Sequence, residues 1–233
     1  MSLNTEFIYN TFFLVLKGVP VTFKIVGVVL LISLLFGFLF AVIRTNSNGI
    51  ISKILGVYVS FARGTPVMVQ IYLIYTALPT VLAPYFKEKG IGFDVYSIKG
   101  MTYAYFIFSF GMIPVMSEMF RGALGAIDKG QLEAAKAIGL SVLQGYRRII
   151  LPQAIVNSLP VLCTNITGLV KLSSLAFAVS VFEIMGIAKT EGAKFTCYVE
   201  AYLIIAVLYV AINLGIEVIF KVIERRIRLY HPL

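Results

Sequence analysis

Nine positions inside otherwise apolar sequence offer polar groups or open backbone: Gly64, Thr65, Gln70, Asn157, Thr164, Asn165, Thr167, Ser173 and Ser174. Polar residues in such surroundings are functional candidates by default. Serine, threonine and asparagine also hydrogen-bond one helix to another, which is the competing use of the same side chains. The inventory is a poor match to catalysis. The single histidine, His231, stands almost at the C-terminus, and Cys163 and Cys197 lie far apart with no metal or redox spacing. Of the charged groups, only Glu118, Lys171 and Glu183 approach the depth of the apolar stretches. Glu118 and Arg121, three apart, read as an ion pair, and Lys171 is placed to snorkel to a surface. No Gly-x-x-x-x-Gly-Lys-Ser/Thr phosphate loop and no Gly-Lys dipeptide occurs, so energy from a nucleotide would have to come from another polypeptide.

The second informative set lies in the hydrophilic segment 121–151. Asp128 can cap a helix start, with Gln131 three residues on as in a capping box. A short helix over 131–138 then carries Glu133, Ala134 and Ala135, and Gly139 stops it. Ser141 can cap a second helix bearing Tyr146, Arg147 and Arg148. Two short helices bent at a glycine, between two apolar spans, make a knob that a soluble partner can grip.

The elements that must position these residues follow from composition. The chain of 233 residues is 59% hydrophobic and 13% charged, with a mean hydropathy of +0.93. A water-soluble chain has roughly 45–50% apolar and about 25% charged residues, so lipid must face much of this surface. The net charge of +9 would suit nucleic acid in a soluble protein. Here the basic residues cluster at the ends of apolar runs, where they act as topology signals, and no nucleic-acid partner is expected. Five spans are predicted, at 20–43, 57–84, 101–119, 152–171 and 198–220, in one membrane domain over 1–233. An amphipathic helix over 4–16 precedes the first span. That span's apolar run, from about Ile25 to Ile43, is preceded by Lys17 and Lys24, lacks a cleavage pattern and reads as retained. Arg63-Gly64-Thr65-Pro66 should break or kink the second span, and Pro152 suits the first turn of the fourth. Tyr58, Tyr103, Tyr105, Tyr198 and Tyr202 stand near span ends as interface anchors.

Segment 175–188 is ambiguous, since its apolar run is cut by Glu183 and Gly186 and is short for a crossing. With five spans, one side of the membrane holds Arg44, Lys53, Arg63, Arg121, Lys129, Lys136, Arg147, Arg148, Lys221, Arg225, Arg226 and Arg228, twelve of the twenty basic residues. A sixth span would move the last four across. The positive-inside rule therefore favours five spans with the N-terminus outside and the C-terminus in the cytoplasm.

Glu133-Ala134-Ala135, Gly139, Ile149 and Leu151-Pro152 resemble, spacing included, the EAA loop of permease subunits from bacterial binding-protein-dependent ABC importers. The frame from Glu118-Met119-Phe120-Arg121-Gly122 to Leu151-Pro152-Gln153-Ala154, and Arg63-Gly64-Thr65-Pro66 with Gln70 and Tyr75, is similar to the polar and charged amino-acid branch. In much of that branch an acidic residue follows the lysine near the end of span four; here Leu172 follows Lys171, which touches substrate preference.

The resemblance implies an all-α, type I importer-like fold and a path for a polar or charged amino acid, or cystine, at a dimer interface. Asp128, Gln131, Glu133, Ala134, Ala135, Gly139, Tyr146 and Arg147 would couple to the ATPase. The implied partners are ABC ATPase subunits holding ATP and Mg, an extracytoplasmic solute-binding protein, and a second permease copy or paralogue, in the bacterial inner membrane. This chain itself would bind no cofactor and no metal and would not be an enzyme. Glu183 would belong to an outer gate. The competing readings are an importer of methionine, a metal or another small solute, a membrane-embedded enzyme, and an ATP-independent ion channel. The enzyme would require paired Asp, His or Ser/His/Lys groups at depth, which the inventory lacks.

Overall fold

The computed structural model describes residues 3–128 and 130–230, the last three by backbone alone. Lys129 and His231 therefore lie outside the described residues, as does the side chain of Arg228. The chain is helical throughout, without a strand among the described residues. Five helical stretches are long and apolar enough to cross a membrane: Thr5–Asn46, Val67–Glu88, Gly100–Gly125, Val142–Val179 and Tyr198–Ile227. The predicted number of spans holds, while several boundaries move.

The first stretch is two helices meeting at an elbow. Helix α1 (Thr5–Leu16) is capped by Asn4, whose Oδ1 accepts from the Phe7 N–H at 2.9 Å. It is amphipathic as expected, but protein covers its inner face. Phe7, Thr11 and Val15 are buried, Tyr9 and Phe13 are exposed, and the helix packs against α10 (Ile184–Lys194) and α11 (Tyr198–Tyr230). Helix α2 (Val19–Asn46) begins after Gly18, where a Cβ would stand 2.6 Å from the Ile184 nitrogen. Only a glycine lets the elbow sit this close.

Span two is broken at Arg63–Pro66, one of the two expected outcomes, while its bounds move. The tetrapeptide separates α3 (Ile50–Gly64) from a rod made of α4 (Val67–Tyr72), a π turn (Leu73–Ala77) and α5 (Leu78–Glu88). Thr65 and Pro66 are extended, because proline clashes with a helical residue before it. The apolar run crosses after the break, over 67–88, rather than from 57.

Helix α6 (Gly100–Gly125) is the centre of the bundle, with α2 along one side and α9 (Leu151–Leu172) along another. Its buried residues include Ile107, Phe108, Met112 and Met116. At Gly37 of α2 a Cβ would come within 2.6 Å of the Met116 Cβ, so the two helices touch nearly backbone to backbone.

The segment after α6 forms α7 (Gly130–Ala137) and α8 (Val142–Gly145). Here the second expected boundary moves. Helix α8 runs without a stop through a π turn (Tyr146–Ile150) into α9 (Leu151–Leu172). Pro152 stands in the first turn of α9, as expected, but the helix does not start there, because the rod enters it from α8. The π turn just before it redirects the Leu151 N–H to the Tyr146 carbonyl, which absorbs the missing proline donor.

Segment 175–188 does not cross. It is a 3-10 turn (Ser173–Val179), a left-handed Ser180 (φ 60°) and the start of α10 (Ile184–Lys194), whose 11 residues are too short to span. Helix α11 (Tyr198–Tyr230) closes the bundle against α9 and α10. Three of the tyrosines expected as interface anchors point inward instead. The Tyr58 hydroxyl donates to the Phe110 carbonyl at 2.6 Å, Tyr103 is buried, and the Tyr105 hydroxyl is buried without a partner among the described residues. Tyr198 and Tyr202 are exposed.

Candidate functional site

The knob between α6 and α9 is built around a close approach. Asp128 caps α7, but its Oδ1 accepts from the Gly130 N–H at 2.7 Å, and Gln131 reaches the Asp128 backbone carbonyl through its own N–H. The reciprocal capping box forms one helix later, between Ser141 and Gln144. Gly139 (φ 85°) ends α7 in a Schellman turn, with Gly139 N–H to the Lys136 carbonyl and Leu140 N–H to the Ala135 carbonyl. That turn folds α7 back onto α8, so that Ala135 is buried against Gly145. A Cβ on Gly145 would lie 2.9 Å from the Leu132 Cδ1 and 3.4 Å from the Ala135 Cβ. Ala135 is thus a spacer. Glu133, Ala134, Gln131, Tyr146 and Arg147 lie exposed around it, with Arg147 and Arg148 beside Leu143 and Gln144 in a surface cleft. Because α8 continues into α9, the knob is rigidly joined to a membrane-spanning helix.

The broken helix is the second feature. The last carbonyls of α3 have no helical donors. Two of them find side chains: Thr65 Oγ1 donates to the Phe61 carbonyl at 2.7 Å, and Gln70 Nε2 donates to the Ala62 carbonyl at 2.8 Å and the Thr65 carbonyl at 3.0 Å. Gln70 is buried and holds the break in shape instead of facing open space. Gln70→Leu should strip both carbonyls of their donor, at about 1–3 kcal/mol. Gln70→Glu should cost more, since it aims an oxygen at two carbonyl oxygens. Thermal unfolding in detergent checks the order, and wild-type melting of both variants would contradict it.

A cavity of about 490 Å³ opens on the knob side of the bundle, lined by Glu118, Met119 and Gly122 of α6, Asn157 and Asn165 of α9, and Arg63 of α3. Glu118 forms the ion pair expected with Arg121, at 3.4 Å, and a shorter one that sequence reasoning missed, with Arg44 of α2 at 2.5 Å. A second cavity of about 250 Å³ lies toward the other end of α6, lined by Ile107, Phe108, Gly111 and Leu172. Thr65 and Arg63 also line it.

The structure therefore brings together part of the predicted path. Asn157 and Asn165 share the larger cavity, Thr65 lines the smaller one, and exposed Gly64 stands between Arg63 and Thr65. Thr164 and Thr167 turn the other way, into a pocket with Glu217 and Lys221 of α11. Ser173 and Ser174 donate to the carbonyls of Val170 and Lys171, both at 2.7 Å, within their own turn. Arg63 and Ser158 were missed. Arg63 was legible as the one charge in the helix-breaking tetrapeptide.

Glu183 is fully buried rather than placed at an opening. Its Oε2 accepts from the Tyr209 hydroxyl at 2.6 Å and the Thr22 hydroxyl at 3.1 Å, and its Oε1 from the N–H groups of Met185 and Gly186 at 2.7 and 3.2 Å. It ties α2, α10 and α11 together.

Comparison with known proteins agrees with this architecture. The chain is 30% identical over 224 residues to "Probable amino-acid permease protein YxeN" of Bacillus subtilis (strain 168), covering 96% of both chains. It is 32% identical over 209 residues to the L-cystine transport system permease protein TcyL of the same organism, covering 90% of this chain and 85% of that one. Among solved structures, one of an amino acid ABC transporter with histidines superposes with a TM-score of 0.80 at 26% identity, covering 97% of this chain and 99% of the other. The model of the binding-protein-dependent transport system inner membrane component matches residues 33–229. With five spanning helices, a folded-back knob and a family match over most of its length, the chain belongs to the inner membrane components of binding-protein-dependent transport systems.

Proposed function

We propose that this chain is the permease subunit of an ATP-driven amino-acid importer of the bacterial inner membrane, with a polar or charged amino acid, or cystine, as cargo. The observation that carries the reading is the unbroken rod from the knob to the cavity wall: α8, the π turn and α9 are one body, with Gly145 at one end and Asn157 and Asn165 farther along. The relatives described as amino-acid and L-cystine permeases favour this cargo over methionine or a metal. The N-terminus lies outside and the knob and C-terminus in the cytoplasm, where the basic residues collect.

ABC ATPase subunits hold ATP and Mg and grip the knob through Glu133, Ala134, Tyr146 and Arg147. An extracytoplasmic solute-binding protein delivers the amino acid, and a second copy or paralogue completes the path. Closure of the ATPases draws the knobs together, and α6 and α9 rock about Pro114 and Pro160, which interrupt the hydrogen-bond ladders of both helices. The cargo shifts this equilibrium only insofar as it binds the two states differently. The test is uptake of radiolabelled cystine, glutamine and a panel of amino acids into proteoliposomes carrying the complete complex, with the binding protein and ATP. Uptake that needs both is expected. Uptake or ion conductance without the ATPase would overturn the reading.

A further inference from the structure

We infer that Arg63 is the carboxylate-binding residue at the waist of the translocation path; this rests on the amino-acid import proposed above. Arg63 and Val115 line both cavities, the one of about 490 Å³ toward the knob and the one of about 250 Å³ toward the opposite end of α6. These two residues are the lining that both cavities share, so they stand where a solute moving from one cavity to the other would meet them. The acid nearest in the lining, Glu118, has its oxygens engaged by Arg44 and Arg121, and Arg63 forms no ion pair among the described residues.

The cavity thus presents an unneutralised guanidinium: Arg63 is exposed and lines the cavities beside Val115, midway along α6, farther from the knob than its place among the cytoplasmic-side charges implied. A guanidinium offers a planar fork of donors that fits a carboxylate with two parallel hydrogen bonds. The opposite need, acceptors for an ammonium, is met in the same cavity. Asn165 donates its amide to Met119 Sδ at 3.7 Å, which leaves its carbonyl oxygen facing no described donor, and Asn157 adds a second amide. One cation and two neutral amides suit a zwitterion and repel a metal ion. The break between α3 and α4 sets the guanidinium at this point, and Gln70 keeps the break in shape.

The test uses the complete complex in proteoliposomes, with Cys163 and Cys197 replaced by serine and Arg63→Cys introduced. Uptake of the best amino acid of the panel should fall at least about tenfold, the loss expected for one charge-assisted pair. Aminoethylation of the new thiol with a methanethiosulfonate reagent restores a cation and should recover uptake severalfold. Methylthiolation, which is neutral, and sulfonatoethylation, which is anionic, should not. Unchanged uptake in Arg63→Cys, or equal recovery with the neutral reagent, overturns the carboxylate role while leaving amino-acid import standing. Loss of basal ATP hydrolysis also overturns it, because the residue would then hold the fold. A parent complex that moves none of the panel overturns the functional reading and this role with it.

Discussion

Gly145→Leu is expected to lower ATP-driven uptake by the reconstituted complex at least about tenfold while the chain still folds and inserts, because overpacking a tight contact typically costs about 1–3 kcal/mol. The space is the reason. A single added Cβ already stands 2.9 Å from the Leu132 Cδ1, and a leucine would drive into Ala135 as well. Helix α7 has eight residues, well short of the roughly 12–15 that an isolated helix needs in water. Its order depends on docking to α8 and on the Schellman turn at Gly139. Prying that contact open moves the docked fraction by about 5- to 150-fold, at tenfold per 1.4 kcal/mol. The membrane spans carry no such burden, so melting of the bundle should hardly change. Uptake within about twofold of wild type would sink the claim that the knob acts as a rigid piece.

Two companion variants separate shape from contact. Gly139→Val forces a branched residue to φ 85°, at about 1–2 kcal/mol, and should act as Gly145→Leu does. Glu133 is exposed and makes no hydrogen bond or ion pair among the described residues, so Glu133→Ala should leave the melting temperature alone and still reduce uptake. If Glu133→Ala leaves uptake intact, the residue is not part of the grip on the ATPase.

The knob was readable in the sequence because its signals are local: an aspartate and a serine at helix starts, a glycine at a helix end, and hydrogen bonds within a few residues. The fusion of α8 to α9 was not. A proline reads as a start, and only the geometry of the π turn shows the chain carrying the helix past it. The five spans followed from composition and charge, while the crossing role of 67–88 needed the break at Thr65 and Pro66 to be total instead of a kink. The polar candidates divided for a reason that periodicity does not reveal at this length. Asn157 and Asn165 are eight apart, on one stripe of α9, whereas Thr164 and Thr167 lie on the stripe that faces α11. Gln70 was found by its polarity, but its work is to serve carbonyls left over by a helix end, a need that exists only once the break is known.

Glu183 sets the last and largest expected effect on stability. Glu183→Ala should lower stability by about 3–5 kcal/mol, because each buried donor left without an acceptor costs about 1–3 kcal/mol and several lose theirs together. Four donors converge on its carboxylate: two hydroxyls, from Thr22 of α2 and Tyr209 of α11, and the N–H groups of Met185 and Gly186 in the first turn of α10. Alanine leaves all four buried without an acceptor, whereas glutamine keeps the shape and one oxygen for the N–H pair, and its amide can donate to the hydroxyl oxygens. Glu183→Gln should therefore cost about 1 kcal/mol, and Tyr209→Phe, which removes a single donor, a similar amount. In a chain of this size about 2–4 °C accompanies each kcal/mol, so the alanine variant should melt on the order of 10 °C lower and the other two only a few degrees lower. Equal melting of the alanine and glutamine variants would show that the cluster does not hold these helices. The consequence reaches transport. If α6 and α9 rock, something must stay still, and α2, α10 and α11 are pinned at Glu183 while the elbow at Gly18 is pressed onto the Ile184 backbone. On the proposed mechanism, a knob moving at one end of the molecule would deliver a stroke only against a fixed frame at the other, which the four bonds to Glu183 would supply.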